Sequence, residues 1–316
     1  MKDGCKIIDM RCRPPYKGFL NEGYPFALYN KNVALSFCKM NGADHISKVQ
    51  DTRSMDDFIE EMDAAGVDLA VAPYRAAWGD PVNNRGKINN DDLLDLLNEY
   101  PNRFIGVAGV SPIYDTFDEI KAQIDKYCVN GPLRGIALEP IIDRPAWLID
   151  DERAFAIYEL AEQKNVPILF TMGTLSAQQL EALEHAAKTF PNVKFTLCHG
   201  GTPRIIEVAD LAYGLGNIYV SPDSIMIHGP ASCIYIEAAN YSLRDRICFG
   251  SNFPGVAMDH AVDYYLNCGL REEVIADVMY NNAARLFEMI EDNEDNSGRI
   301  MKAKLDEKEK AFGKDE

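Results

Sequence analysis

The chain has 316 residues, 47% of them hydrophobic, so neither a small disulfide-stapled scaffold nor a wholly disordered protein fits. Acidic residues number 49 against 32 basic ones, and the resulting net charge of -17 repels phosphate backbones and anionic lipid head groups, which makes nucleic acid and membrane surfaces poor partners. No apolar stretch approaches the roughly 18 residues of a membrane span. The first residues run into a strand-like segment without a signal-peptide apolar region, and the eight cysteines form no C-x-x-C pair, so a cytoplasmic protein with buried reduced thiols is expected.

Along the chain, short apolar β-rich runs recur with amphipathic segments between them. The first run falls near Lys6–Met10, and a long connection follows from Pro14 to Arg53, beginning Pro14-Pro15-Tyr16-Lys17-Gly18-Phe19. Helical spacing over Met55–Ala65 leads to a second run, Val67–Ala72, and to a second connection, Pro73 to Asn90, that opens with Tyr74, Arg75 and Trp78. Helix Asp91–Tyr100, run Arg103–Val110, helix Thr116–Cys128 and run Arg134–Leu138 come next. Helix Glu152–Lys164 and run Val166–Thr171 precede helix Ala177–Phe190, whose Ser176-Ala-Gln-Gln179 start has the form of a capping box. Run Val193–Cys198 precedes helix Pro203–Tyr213, with Pro203 placed where a first turn tolerates proline. Runs Asn217–Ser221 and Arg246–Ser251 complete a set of eight.

Strands that are apolar throughout belong to a parallel sheet covered on both faces. Eight β/α units predict a (β/α)8 TIM barrel in one domain, residues 1–290, followed by a charged tail, 291–316, that is solvated and carries no chemistry. Both long connections are then strand-to-helix loops, after strands 1 and 2, at the catalytic mouth. The first is expected to fold over that mouth, bending at Gly18, Gly23 and Gly42, with at least one of Tyr16, Phe19, Tyr24 and Phe26 as a pocket wall. The alternative is that it packs on a neighbouring subunit and leaves the mouth open.

Barrel enzymes place their chemistry at the C-terminal ends of strands. Those ends are Asp9 with Arg11 and Arg13; Pro73 to Arg75; Ser111; Glu139; Thr171 with Met172; His199; Asp223 with Ser224; and Asn252. Around them stand Ile8-Asp9-Met10-Arg11-Cys12-Arg13-Pro14, Cys198-His199-Gly200-Gly201, Phe249-Gly250-Ser251-Asn252-Phe253-Pro254 and Asn282-Ala283-Ala284-Arg285-Leu286-Phe287. In these motifs the chain resembles the amidohydrolase-related family, the branch of the amidohydrolase superfamily containing small-carboxylate decarboxylases, hydratases and lactonases.

The departures from that family are informative. Its first strand reads Asp-x-His-x-His and puts two imidazoles on one metal, whereas this chain has Arg11 and Arg13. A fifth-strand histidine is replaced near Thr171, and the eighth-strand aspartate, which handles the proton of a metal-bound water, is replaced by Asn252. Only His199 of the usual set remains. Two guanidiniums disfavour a divalent cation, so no metal and no cofactor are expected there. A relocated metal on His199, Glu139, Asp223 or Cys12 is the less favoured alternative, since Cys12 lies between two inward residues and should point outward. His45, His185 and His260 read as structural or exposed, and His228 as a loop residue near the mouth.

Arg11 and Arg13 have two readings: a fork that clamps a carboxylate, with Arg75 adding a third contact, or a cross-barrel tie to Glu139 and Asp223. The resemblance and the arginine pair together predict a metal-independent enzyme acting on a small carboxylated substrate. Arg11, Arg13, Arg75, Glu139, Thr171 and Asp223 form its binding set, His199 serves as base or acid, and Asn252 orients water or a carbonyl. Hydrolysis of a lactone or amide leads; hydration and decarboxylation follow. The opposing hypothesis is a non-catalytic relative that binds a small anion, its mouth filled by Met172 or loop aromatics. The family resemblance also implies a homo-oligomer.

Overall fold

Among the described residues, seven short parallel strands form one sheet in sequence order, each hydrogen-bonded to the next. The computed structural model describes residues 4–17, 31–73, 89–172, 174–229 and 232–289. The strands are β1 (Ile8–Asp9), β2 (Leu69–Pro73), β3 (Phe104–Gly109), β4 (Ile136–Leu138), β5 (Ile168–Phe170), β6 (Phe195–Cys198) and β7 (Ile218–Ser221). The eighth apolar run, 246–251, makes a single bridge, Val220 with Ile247, rather than a strand. Its backbone still reaches both neighbours: Cys248 N–H donates to Val220 O at 2.9 Å, and Met10 N–H donates to Phe249 O at 3.0 Å. The Phe249 N–H, however, is taken by the carbonyl of Val278 at 2.8 Å, which ends the ladder there. An α/β fold with seven parallel strands in a curled sheet, consistent with a TIM barrel, results.

Helices alternate with the strands and cover the sheet's outer face. In chain order they are α1 (Lys31–Met40), α2 (Val49–Thr52), α3 (Met55–Ala65), α4 (Asn90–Glu99), α5 (Phe117–Ile124), α6 (Glu152–Lys164), α7 (Ala177–Thr189), α8 (Ile205–Gly214), α9 (Ser232–Asn240), α10 (Met258–Asn267), α11 (Glu272–Ala276) and α12 (Asn282–Leu286). Local chemistry sets their ends. Ser54 caps α3 by accepting the Asp57 N–H, and α3 stops at Gly66, whose φ of 78° is a conformation glycine adopts without strain. Capping boxes open α4 (Asn89 with Asp92) and α5 (Thr116 with Glu119).

Three expectations are corrected here. The Ser176 side chain does accept the Gln179 N–H, but the Gln179 side chain does not complete a capping box. Its oxygen accepts from Ile149 N–H and its nitrogen donates to Trp147 O, because a buried amide is satisfied best by a buried loop backbone. Pro203 precedes α8, after a cis bond from Thr202, instead of lying in its first turn. The connection 14–53 is no plain loop: α1 and α2 lie within it and bury Ala34, Cys38 and Val49.

Apolar side chains separate into two layers. Phe58, Tyr158, Phe170, Phe195 and Leu197 belong to the large cluster between sheet and helices. Alternate strand residues Ile8, Met10, Val71, Ile105, Val107, Ala137 and Leu169 form an inner cluster with Cys248 and with Ala283, Ala284 and Leu286 of α12. All eight cysteines are free thiols. No helix among the described residues is long and apolar enough to cross a membrane.

Candidate functional site

The first strand shows how the arginines reach the mouth. Ile8 and Met10 join the inner cluster, and strict alternation would send Cys12 with them, yet Cys12 packs in the outer one. The alternation therefore slips by one residue between Met10 and Cys12. Asp9 makes the slip: its Oδ1 accepts the N–H of Arg11 at 3.0 Å and of Ser251 at 2.8 Å, and its Oδ2 accepts the Ser251 hydroxyl at 2.5 Å. Burial pushes the Asp9 carboxyl up, and these bonds from Ser251 and Arg11 oppose the shift. Arg11 and Arg13, each 2% exposed, are buried beyond this bend.

The ends of β6, β7 and the eighth run converge on Arg11. A side chain at Gly250 would meet Ser221 Oγ at 2.7 Å, Arg11 Cβ at 3.1 Å and Asp223 Cβ at 3.3 Å, so only a glycine lets these segments approach. After β6, Gly200 and Gly201 both have positive φ, and added Cβ atoms would lie 2.8 Å from Tyr235 and 2.4 Å from Val208. His199, Asp223 and Asn252 also hold left-handed backbone, at φ 63°, 45° and 62°, the kind of local strain that clusters at functional sites.

His199 is held at both ring nitrogens. Its Nδ1 lies 2.9 Å and 3.1 Å from the two oxygens of Asp223, and its backbone N–H also donates to Asp223 at 2.9 Å. Its Nε2 lies 3.3 Å from Arg11 Nη2. A carboxylate only accepts and a guanidinium only donates, so the ring is neutral with its proton on Nδ1. Burial lowers the His199 pKa first of all; Asp223 opposes this, and the charges of Arg11 and Arg13 lower it further. Arg11 Nε and Nη1 are buried with no hydrogen-bond partner among the described residues, as is Asn252 Oδ1, whose Nδ2 is anchored on Ser224 Oγ at 2.9 Å.

Arg11, His199, Asp223 and Asn252 thus come together, and the charges of Arg13 and Glu139 act on the adjoining Cys198 alongside those of Arg11 and Asp223. Asp223 is engaged by His199 and Ser224 rather than by the arginines, so the cross-barrel tie is absent at that residue. Thr171 is buried at the end of β5, bonded through its N–H to Leu138 O. Arg75 lies outside the described residues, as do Phe19, Tyr24 and Phe26. Tyr16 is no wall of the mouth: it packs in the outer cluster and donates its hydroxyl to Glu99 at 2.7 Å, on the helix side of the sheet. Met172 also packs in the outer cluster and does not fill the mouth.

The remaining histidines have local partners: His45 lies against Asp44 and Asp259, His185 against Asp150, and His260 against the Asn41 carbonyl. His228 stacks edge-on to Tyr264 at 4.7 Å. The residues at the family's metal position do not fit a divalent cation, being guanidiniums where imidazoles would bind. Among the described residues no group of three or more His, Cys, Asp or Glu gathers as a metal site.

Sequence reasoning overlooked one titratable group, Asp143, in the loop after β4. Its Oδ2 accepts from Ser111 Oγ at 3.0 Å and from Trp147 Nε1 at 2.6 Å, while Oδ1 is buried without a partner among the described residues. Burial pushes this carboxyl up to about 6, against both donors, and Glu139 and Asp115 add to the rise. A folded value above the unfolded one stabilises the fold fully at low pH, and that contribution is lost as pH rises through about 6. Asp143→Asn removes the titration. Relative to the parent, its urea-unfolding free energy is expected to improve by about 2–3 kcal/mol between pH 4 and pH 7.5. Parallel pH profiles of the two proteins would refute this assignment.

Comparison with known proteins agrees with the fold. A solved, uncharacterized TIM-barrel protein from Bordetella bronchiseptica is 26% identical, covers 90% of this chain and 98% of its own, and superposes with a TM-score of 0.77. The 2,6-dihydroxybenzoate decarboxylase from Rhizobium shares the fold at 16% identity and a TM-score of 0.64, over 90% of this chain and 99% of that one. The 5-carboxyvanillate decarboxylase from Novosphingobium aromaticivorans, solved with manganese and 4-hydroxy-3-methoxy-5-nitrobenzoic acid, does so at 14% and 0.64, over 91% and 97%. No protein of curated function matches the sequence. The Amidohydrolase family model matches residues 38–289, a stretch that begins after Arg11 and Arg13 and carries Glu139, Thr171, His199, Asp223 and Asn252. With about four-fifths of its length, and every strand after the first, inside that match, this chain belongs to the amidohydrolase family.

Proposed function

We propose that the protein is a metal-independent enzyme of the amidohydrolase superfamily that hydrolyses a lactone or amide of a small carboxylated compound at the mouth formed by the C-terminal ends of its parallel strands. One observation carries this reading. A buried guanidinium, Arg11, has its Nε and Nη1 unpartnered among the described residues and stands 3.3 Å from an imidazole that a buried carboxylate orients. A guanidinium edge of that kind suits a carboxylate or a developing oxyanion. Arg11, with Arg13 and Arg75, binds the anion; Glu139 and Thr171 line the same strand ends; the His199–Asp223 pair moves the proton of the attacking water; Asn252 orients that water, accepting from it through Oδ1.

Hydrolysis is preferred on electrostatic grounds. Arginines around a carboxylate stabilise it as a carboxylate, which opposes loss of that group as carbon dioxide. The second reading, decarboxylation of a hydroxylated aromatic acid, draws on the likeness to the decarboxylases named above. A panel of lactones, amides and dicarboxylates, followed for acid release and for carbon dioxide release in the presence of a chelator, separates the two. Turnover should persist with the chelator and fall at least about 100-fold in Arg11→Ala and Arg13→Ala. An anion bound without turnover identifies a non-catalytic relative. Equal absence of binding and turnover in parent and variants would eliminate the anion clamp.

A further inference from the structure

Both ring nitrogens of His199 are occupied. Asp223 holds Nδ1 and also the backbone N–H of the same residue, and Asp223 is itself fully buried, so the ring cannot turn to free either nitrogen. Arg11 covers Nε2, the one position from which the imidazole could take a proton from a ligand or a water. The guanidinium is the movable partner: its contact at 3.3 Å is long, and its Nε and Nη1 have no partner among the described residues to hold them.

The charged groups that face His199 are Arg11 and Arg13 from the end of β1 and Asp223 from the end of β7. Glu139, from the end of β4, acts on the neighbouring Cys198. Burial first, and then the two cations, hold down the proton affinity of the ring against the pull of Asp223. A carboxylate bound to Arg11 supplies a further negative charge and offers the guanidinium a stronger acceptor than a neutral nitrogen.

Resting on the reading of Arg11 as an anion-binding group, we propose that substrate unmasks the base: a carboxylate arriving at Arg11 draws the guanidinium off His199 Nε2 and raises the affinity of that nitrogen for a proton. In turnover the proton comes from the attacking water; with an inert carboxylate it comes from solvent. The empty site thereby keeps a weak, covered imidazole, and the occupied site an exposed and stronger one. Burial and both arginines lower the His199 pKa in the empty protein, in keeping with this arrangement.

Nitrogen-15 NMR of histidine-labelled full-length protein tests it, with the His199 signals identified by their loss in His199→Gln. Sodium benzoate and sodium succinate serve as the probes, and calorimetry measures their binding. Without probe, His199 should show the Nδ1–H tautomer and a titration midpoint below the ordinary histidine value. Saturating probe should raise that midpoint by about one pH unit, a tenfold change in proton affinity. Arg11→Gln should raise it without any probe and abolish the response, while Arg11→Lys, which keeps the charge, should leave it low. A probe that binds without moving the midpoint overturns the proposal and leaves the anion site standing. Failure of both probes to bind removes the anion site and the proposal with it, and an Arg11→Gln midpoint equal to that of the parent overturns the proposal by itself.

Discussion

Asp223→Ala is expected to destabilise the protein by about 3–5 kcal/mol, the usual cost of stripping one partner from a buried charge cluster. Asp223 is fully buried and accepts two hydrogen bonds from His199, through Nδ1 and through the backbone N–H, both at 2.9 Å. Its loss leaves both donors unpaired and leaves Arg11 and Arg13 with less opposing charge at that end of the sheet. Asp223→Asn isolates the chemistry from the fold. The amide can still accept from the His199 backbone, so stability should fall by only about 1–2 kcal/mol, but an amide no longer selects the Nδ1–H tautomer. Turnover on whichever carboxylated substrate the parent accepts should fall by about 10³-fold or more. Urea midpoints and rates measured on the two variants check both halves. An asparagine variant that retains activity would show that His199 handles no proton.

Asp9→Ala should be comparably costly for a different reason. Asp9 satisfies the N–H groups of Arg11 and Ser251 and the Ser251 hydroxyl at one buried point. Two backbone donors left in a dry interior cost about 1–3 kcal/mol each, so a loss of about 3–5 kcal/mol in urea unfolding is expected. Asp9→Asn keeps one acceptor and should lose about 1–3 kcal/mol. The two variants also differ in function. Without the bend, Arg11 and Arg13 leave the mouth, and benzoate binding should disappear in Asp9→Ala even at temperatures where the protein is folded. Intact binding in that variant would show that the arginines are placed by something other than Asp9.

Helices with a clean apolar stripe were legible residue by residue: the bounds of α3 and α6 are those the spacing predicts, 55–65 and 152–164. What the periodicity could not show was competition between side chains and backbone. The expected first strand, Lys6–Met10, shortens to Ile8–Asp9 because Asp9 takes over a backbone donor at its end. The eighth run loses its strand character because Val278, some thirty residues along the chain, accepts the Phe249 N–H within a π-helical turn that no local pattern announces. Tyr16 illustrates the same limit. An aromatic just past a catalytic strand reads as a pocket wall, yet a hydroxyl partner on α4, Glu99, draws it to the far face of the sheet.

The candidate site was readable mainly because strand ends in a parallel α/β array share one rim. His199, Asn252, Arg11 and Asp223 could be named without knowing a distance, and they meet there. Their pairing could not be named. Asp223 looked equally able to face an arginine or a ligand, and the left-handed turn at Gly200 together with the close approach that Gly250 allows brings it under the imidazole instead. Asp143 was missed because nothing local marks a loop aspartate as buried; its partners, Ser111 and Trp147, come from the end of another strand and from its own loop.

The bend at Asp9 also bears on how such a site could arise. Since a carboxylate and two backbone N–H groups hold the end of the first strand in place, the turn does not depend on whatever the next two inward side chains grip. A histidine codon becomes an arginine codon by one base change at its middle position, and an aspartate codon becomes an asparagine codon by one at its first. An ancestor with the Asp-x-His-x-His strand is therefore separated from this chain by single-base steps at residues 11, 13 and 252, while a fifth-strand histidine replaced by threonine at residue 171 takes two. The conversion from an ion-centred rim to a guanidinium-centred one requires no insertion and no deletion, and with the strand end held by Asp9, chains halfway along that route, with one histidine and one arginine on the first strand, should fold as stable barrels.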